Sequence, residues 1–189
     1  MSPNNIFQGK RVRLRAVEPA DWETYWKWSN DTDAQRAEGG DIGFPANREE
    51  IRAWTEREAR HDGKDEMCFC IIETLEGEAV GRINSHSCEI RHGTFMYSIL
   101  IPPENRRKGY ATEATRLLMR YYFDERRYQK CTSLVFSFNE PSIRLHESIG
   151  FILEGRIRRI VYAMGGLHDQ LYYGMTKEEF DARYPAESW

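Results

Sequence analysis

Apolar and polar residues alternate in several segments of the chain, which is the pattern of half-buried β-strands. Residues 12–17 (VRLRAV) and 94–101 (TFMYSILI) have this pattern. Residues 67–87 predict a hairpin with its turn near Gly77, because two apolar runs flank a glycine there. Residues 131–138 (CTSLVFSF) are almost continuously apolar, which predicts a strand that is buried on both faces.

Helices are indicated where apolar residues recur at three- and four-residue spacing between capping residues. The predicted helices cover residues 21–30, 48–60, a long segment that begins after Gly109, 141–148 and 177–184. Asn47 is expected to cap the second of these helices, and Gly150 lies just past the end of the fourth. Residues 32–46 contain three glycines and a proline, so we expect a loop there.

The order of the main elements, β-α-α-β-β-β-α-β-α-β-β, predicts an α/β (α+β) fold. Two helical connections near the middle require some parallel pairing, whereas the hairpins, including one with its turn at 165–166, require antiparallel pairing. The central sheet should therefore be mixed, with about six or seven strands flanked by helices. No repeat or linker divides residues 1–189, so we expect a single domain.

The charge and hydropathy of the chain argue against two classes of partner. Its 27 basic and 30 acidic residues give a net charge of −3, which disfavours nucleic-acid binding. The sequence has no apolar run of about 18 residues, so no membrane partner is expected. The N-terminus lacks the apolar segment of a signal peptide, which favours a cytoplasmic location. A homodimer is also considered.

The four cysteines lack the spacing of a zinc site, and we expect no metal. Cys68 and Cys70 are separated by one residue, so on a strand they would lie on the same face. Cys88 and Cys131 have no evident histidine partner, and we assign neither as a nucleophile. Buried, reduced thiols are the expected state.

The segment RRKGYATEA, residues 106–114, has the composition of an anion-binding site. The first N–H groups of a helix have no intrahelical acceptor, and the helix dipole adds partial positive charge. Gly109 would let the backbone approach a ligand closely, while the three preceding cations add charge at the rim. The segment matches neither the Walker phosphate loop nor the dinucleotide fingerprint. A solvated basic loop is the alternative interpretation.

A second motif, NEPSIRLHESIGF at residues 139–151, follows this segment after a helix and a strand. Together the motifs resemble the GNAT superfamily of acetyl-CoA-dependent N-acetyltransferases. The similarity covers most of the chain, from KRVRLRAVEPAD to GGLHDQLYYGMTKEEF, and it is greatest to the branch that acetylates ribosomal-protein N-termini. The resemblance implies a single GNAT-like domain with a CoA-binding core at about 93–151.

The resemblance also implies which residues bind acetyl-CoA, the co-substrate of the family. The loop and helix start would hold the pyrophosphate, the preceding strand would pair with the pantetheine amides through its backbone, and Asn139 and Ser142 would contact the rest of the cofactor. The implied residues are Ile99, Leu100, Ile101, Arg106, Arg107, Lys108, Gly109, Tyr110, Ala111, Thr112, Asn139 and Ser142. For Asn139, a helix-capping role is the alternative, and the two roles can coexist.

The catalytic residues implied are His146 and Ser142, which lie four positions apart and so on one helix face. Many members of the family have a tyrosine where this chain has His146, and that tyrosine protonates the departing CoA thiolate. An imidazolium at His146 could donate this proton, as could Ser142 through a water. Alternatively, His146 is a structural hydrogen-bonding residue, and Ser142 is simply part of the helix N-terminus.

The base and the acceptor are less clearly marked. Some members of the family place a glutamate on the fourth strand, but residues 94–103 contain no acid, so we expect the proton to leave through water or an acid of the N-terminal half. Four acids between Asp31 and Asp41 suggest a cationic amine, with a solvated loop as the alternative. The tryptophans at 22, 26, 28 and 54 would line the acceptor cleft or belong to the core.

Three functions remain compatible with the sequence. The first is an acetyl-CoA-dependent N-acetyltransferase that acts on a protein or peptide N-terminus by direct attack in a ternary complex. The second is the same reaction on a small amine such as a polyamine, an aminoglycoside or an amino acid. The third is a CoA-binding module without catalytic activity.

Overall fold

The computed structural model describes residues 5–61 and 63–185. The seven strands are β1 Val12–Ala16, β2 Phe69–Thr74, β3 Ala79–Glu89, β4 Thr94–Leu100, β5 Lys130–Phe136, β6 Ile152–Ala163 and β7 Gly166–Thr176. The six α-helices are α1 Trp22–Ser29, α2 Thr32–Gly39, α3 Arg48–Glu58, α4 Tyr110–Arg120, α5 Glu140–Ile149 and α6 Lys177–Arg183. These elements follow most of the predicted boundaries to within a few residues.

The strands form one mixed sheet in the order β1-β2-β3-β4-β5-β7-β6. Strands β4 and β5, joined by α4, pair in parallel, and the other recorded pairs are antiparallel. The predicted mixed α/β fold of six or seven strands is confirmed. The second helical connection does not place its two strands side by side, because β7 lies between β5 and β6 and pairs with both.

Helices cover both faces of the sheet, so its central strands are buried on both sides. Ile71 and Ile72 are adjacent in β2 and both fully buried, yet they belong to different hydrophobic clusters because neighbouring side chains of a strand point in opposite directions. Ile71 packs with residues of α1 to α3, such as Tyr25 and Trp28. Ile72 packs with the larger cluster, which includes Leu117 of α4.

The predicted loop at 32–46 is partly wrong, because α2 occupies its first half. The Asp31 carboxylate accepts hydrogen bonds from the backbone N–H groups of Asp33 and Ala34, which caps the helix start. Gly40, with φ of +82°, ends the helix in the left-handed conformation. One of the glycines that predicted a loop, Gly40, therefore ends a helix instead.

Two smaller predictions also need correction. Strand β5 is not buried on both faces, since Leu134 is 38% exposed and burial alternates along the strand. The last hairpin turns at Met164 and Gly165, one residue earlier than predicted, because Ala163 pairs with Gly166. Neither feature is specified by local sequence. The exposure of β5 is due to an open cleft beside it, and the position of the turn is due to the register of β6 on β7.

Strand β6 forms one edge of the sheet and exposes several apolar side chains. Ile152, Leu153 and Ile160 are each about half exposed, and Tyr162 is 68% exposed. The homodimer considered from the sequence stays a prediction. Among the described helices, we find none with the length and apolar character needed to cross a membrane.

Candidate functional site

The sheet opens between β4 and β5. Their parallel pairing covers Thr94–Met96 and Lys130–Thr132, and then β4 continues to Leu100 and β5 to Phe136 without recorded pairing between them. Backbone groups beyond the last pair are therefore available to an extended ligand on this side of β4. Amide groups of a linear ligand can pair with a strand edge of this kind.

A cleft of about 1140 Å³ occupies this opening and extends from the start of α4 to α2. The predicted site residues that line it are Ile99, Leu100, Ile101, Arg106, Arg107, Gly109, Tyr110, Ala111, Thr112, Asn139, Ser142 and His146. Lys108 is the one predicted site residue outside the lining. Its Nζ donates to Asn105 Oδ1 at 3.2 Å.

The start of α4 forms the basic end of the cleft. Gly109 precedes the helix with φ of +84°, a conformation that costs glycine little, and Arg107 also has a positive φ of 64°. The N–H groups of Tyr110 and the next residues have no acceptor within the helix. Arg106 and Arg107 add positive charge at the same place. This combination of donors and cations suits a phosphate group.

Arg11 is a residue that the sequence did not assign to this end of the cleft. A Cβ added at Gly109 would lie 3.0 Å from Arg11 Nη1, so this guanidinium adjoins the turn. The Glu113 carboxylate of α4 accepts hydrogen bonds from the backbone N–H groups of Lys10, Arg11 and Val12, at 2.8–3.0 Å. These bonds fix the approach to β1 against the first turn of α4. No local signal could have identified this contact, because about a hundred residues separate the partners.

Asn139 lines the cleft and forms hydrogen bonds to both α5 and α2. Its Oδ1 accepts a hydrogen bond from the Ser142 N–H at 3.2 Å, which caps α5, and its Nδ2 donates to the Ala37 carbonyl of α2 at 3.3 Å. The capping role expected from the sequence is therefore present, and the residue also lines the cleft. The second bond joins α2 to the start of α5.

His146 is 2% exposed, and its ring has one defined hydrogen-bonding arrangement. Nδ1 lies 2.7 Å from the Ser142 carbonyl, which can only accept, so Nδ1 carries the proton. Nε2 lies 2.9 Å from the hydroxyl of Tyr97. Burial lowers the pKa of His146, although the bond to the Ser142 carbonyl acts in the opposite direction. The neutral imidazole is therefore favoured, in contrast to the imidazolium considered from the sequence.

Tyr97 is the second residue that sequence reasoning missed. It is the first residue of β4 beyond the recorded pairing with β5, it is 3% exposed, and it lines the cleft beside His146. Burial raises the pKa of its hydroxyl well above the ordinary value. Strand alternation could have placed it on the inner face, but its partner is 49 residues away.

Residues of α2 also line the cleft, namely Asp33, Arg36 and Glu38. Glu38 accepts a hydrogen bond from Arg82 at 2.7 Å, and its side chain is 30% exposed. No described tryptophan lines this cleft. Trp28 is buried in the core, as the alternative interpretation of the aromatic residues had it.

The cysteines lie outside this lining. Cys131 is fully buried, and burial raises the pKa of its thiol. Cys68 and Cys70 both pack against the larger hydrophobic cluster, so these two side chains lie on the same face of the sheet, as predicted. The part of the chain that the structure describes contains no group of three or more His, Cys, Asp or Glu that could hold a metal ion.

Comparison with known proteins identifies the class to which this fold and cleft belong. Residues 11–152 match the family described as acetyltransferase (GNAT) domain. Because this match covers most of the chain, the protein belongs to the GNAT family and is an N-acetyltransferase, as the sequence motifs indicated.

Among relatives, the SPbeta prophage-derived uncharacterized N-acetyltransferase YokL of Bacillus subtilis (strain 168) is 35% identical over 177 residues, 93% of this chain and 96% of YokL. YdaF of the same organism, a provisional ribosomal N-acetyltransferase, is 31% identical over 106 residues, 56% of this chain and 58% of YdaF. The crystal structure of spermidine N-acetyltransferase from Vibrio cholerae in complex with CoA and spermine superposes with a TM-score of 0.79 at 17% identity, over 91% and 99% of the two chains.

Proposed function

We propose that this protein transfers the acetyl group of acetyl-CoA to a primary amine by direct attack within a ternary complex. The observation that carries the proposal is a single cleft that joins a strand edge available for pairing, along β4 from Tyr97 to Leu100, with the helix start at Gly109. A molecule that has a phosphate end and a linear amide chain fits these two features. Acetyl-CoA has both.

The residues proposed to bind acetyl-CoA are those predicted from the sequence, but the structure changes how Lys108 and Leu100 are proposed to contribute. Arg106 and Arg107 are proposed to contact phosphate from the cleft wall, while Lys108 contributes only through its charge. Leu100 is proposed to act through its backbone, since its side chain is packed into the core under α1 to α3. Ser142 lines the cleft beside His146, which supports its proposed contact with the cofactor.

For the acceptor, we propose a protein or peptide N-terminus. Asp33 and Glu38 line the same cleft, and carboxylates there favour an amine that arrives as a cation. The partial similarity to YdaF agrees with a protein acceptor. A polyamine is the second candidate, because the same carboxylates suit it and because the fold is shared with the spermidine N-acetyltransferase of Vibrio cholerae.

A thiol-release assay with a panel of amines tests this function. The purified protein and acetyl-CoA are mixed with short peptides that have free N-termini, with the same peptides acetylated at the N-terminus, and with spermidine, aminoglycosides and amino acids. We expect free-N-terminus peptides to exceed spermidine in kcat/KM by about tenfold or more, roughly 1.4 kcal/mol in transition-state stabilisation. The blocked peptides control for hydrolysis and for lysine acetylation.

The other outcomes of this assay distinguish the proposed acceptor from a polyamine and the proposed enzyme from a CoA-binding module. A preference for spermidine would move the acceptor assignment to the second candidate. Binding of acetyl-CoA in calorimetry without thiol release from any acceptor would support a CoA-binding module and refute the proposed activity. Glu38→Gln should raise KM for a cationic acceptor without changing the Kd for acetyl-CoA. Glu49→Gln is its control, because the Glu49 side chain is 78% exposed and lies outside the cleft lining.

A further inference from the structure

A chain of hydrogen bonds runs from the cleft into the protein through Tyr97 and His146. Because the Ser142 carbonyl can only accept, it fixes the His146 proton on Nδ1. In the neutral ring Nε2 is then a bare acceptor, and the Tyr97 hydroxyl must donate to it across 2.9 Å. The oxygen of Tyr97 keeps lone pairs that can accept a further proton.

The position of this pair fits the place where acetyl transfer would occur. A ligand that begins at the start of α4 and runs back along Ile101 and Ile99 reaches Tyr97, where the opening between β4 and β5 closes. Tyr97 and His146 are 3% and 2% exposed, so bulk water has little access to the bond between them. Residues 94–103 contain no carboxylate that could act as the base instead.

We propose that Tyr97 and His146 form a proton relay, in which Tyr97 is the catalytic residue and His146 acts through it. The inference rests on the proposed acetyl transfer, and it names groups that move the proton in that reaction. The hydrogen-bond direction makes the resting relay ready to take up a proton, which is the reverse of the acid role considered for His146 from the sequence.

Acetyl transfer through this relay conserves every proton. The acceptor loses its ammonium proton to water and enters as a neutral amine. As the bond between its nitrogen and the acetyl carbon forms, that nitrogen gives one proton to the Tyr97 oxygen, while Tyr97 gives its own proton to His146 Nε2. As the carbon–sulfur bond breaks, the same steps run in reverse and deliver a proton to the sulfur. The products are the amide and the CoA thiol, and the relay returns to its starting state.

The surroundings of His146 keep it neutral before the reaction. Tyr173 of β7 stacks on the ring with centroids 5.5 Å apart, and its hydroxyl donates to Glu147 at 3.2 Å. Cys131 of β5 interacts with Tyr97. Burial raises the pKa values of Tyr173, Cys131 and Tyr97, so these three groups are neutral near pH 7. Glu147, which follows His146 in α5 and accepts this bond from Tyr173, is an acidic neighbour on the ring's stacked side.

Two variants interrupt the relay with little change in shape. Tyr97→Phe removes only the hydroxyl, and His146→Gln keeps an acceptor for that hydroxyl but cannot take up a proton near pH 7. Each should lower kcat by ~100-fold, the scale for loss of acid–base catalysis, with the Kd for acetyl-CoA within about threefold of wild type. The double variant should be no slower than either single variant, because both interrupt one pathway. Tyr173→Phe, which alters a ring neighbour outside the relay, should keep wild-type kcat.

Two further measurements separate a proton relay from a structural role. Burial lowers the pKa of His146, so protonation of its ring should reduce kcat only at a pH below the ordinary histidine range. The ratio of the wild-type kcat to that of His146→Gln should fall as the pH decreases through that pKa, whereas protonation of the acceptor amine lowers both rates alike. In ¹⁵N NMR of the purified protein, His146 should have a protonated Nδ1 and an unprotonated Nε2. This measurement needs no amine substrate. A protonated Nε2 in the neutral ring would overturn the relay, and so would wild-type kcat in Tyr97→Phe.

The two proposals can fail separately. If the wild-type protein binds acetyl-CoA but releases no thiol with any amine, the proposed function fails and the relay with it. If wild type is active and Tyr97→Phe or His146→Gln is equally active, the relay alone is refuted. Strictly multiplicative losses in the double variant would also refute it, since independent roles give additive free energies.

Discussion

Replacing Gly109 by alanine tests whether the start of α4 is a phosphate site. Gly109 has φ of +84°, where a residue with a Cβ costs about 1–2 kcal/mol. The added Cβ would lie 3.0 Å from Arg11 Nη1, but this is the end of a flexible side chain that can move away. The loss of stability should therefore be close to the backbone cost alone, equivalent to a fall in Tm of roughly 2–4 °C per kcal/mol.

The same methyl group would stand between the backbone donors of α4 and a bound phosphate. We expect the Kd for acetyl-CoA, measured by calorimetry, to rise by at least about tenfold, or roughly 1.4 kcal/mol. Gly77→Ala is the matched control. Gly77 has φ of +95° in the turn between β2 and β3, and a Cβ there meets no atom within 4 Å. It should lose similar stability but bind acetyl-CoA normally. Unchanged affinity in folded Gly109→Ala would refute the phosphate assignment.

Three other predictions follow from the contacts. Arg107→Ala should weaken acetyl-CoA binding by about 1 kcal/mol or more at low salt. Lys108→Ala should have a smaller effect, because Lys108 lies outside the cleft lining. Equal losses of affinity in calorimetry would contradict this distinction. Asn139→Ala should lower the free energy of unfolding by about 1 kcal/mol through loss of the α5 cap, and a denaturation midpoint equal to that of wild type would count against it. The Arg15 guanidinium outweighs the effect of burial and holds the pKa of Asp21 below its ordinary value, so this pair stabilises the fold at neutral pH and loses its contribution as the pH falls below about 4. Arg15→Met should therefore cost about 3 kcal/mol in urea unfolding at pH 7 and less at pH 3; an equal cost at both pH values would contradict the assignment.

The elements that could be predicted from the sequence are those with local signals. Amphipathic spacing identified α4, Asn139 and Gly150 marked the ends of α5, and Gly77 marked the first hairpin. These signals are readable because a helix cap or a tight turn involves residues only a few positions apart. The combination of cations with Gly109 at a helix start likewise predicted most of one cleft wall.

Local signals failed where a distant partner decides the outcome. Residues 32–39 form a helix whose end contacts Asn139. The place of β7 between β5 and β6 depends on which strands bury their faces together, and short-range patterns do not encode that choice.

The chemistry at the centre of the cleft could not be predicted from the sequence, because it depends on contacts that form only in the folded chain. The sequence singled out His146 but not the hydroxyl of Tyr97, which determines what the imidazole can do. The direction of that hydrogen bond follows from a third group, the Ser142 carbonyl, and the protonation state follows from burial by the surrounding strands. Residue type sets which protons an imidazole can carry, but folding brings together the partners and the low-dielectric surroundings that select among them.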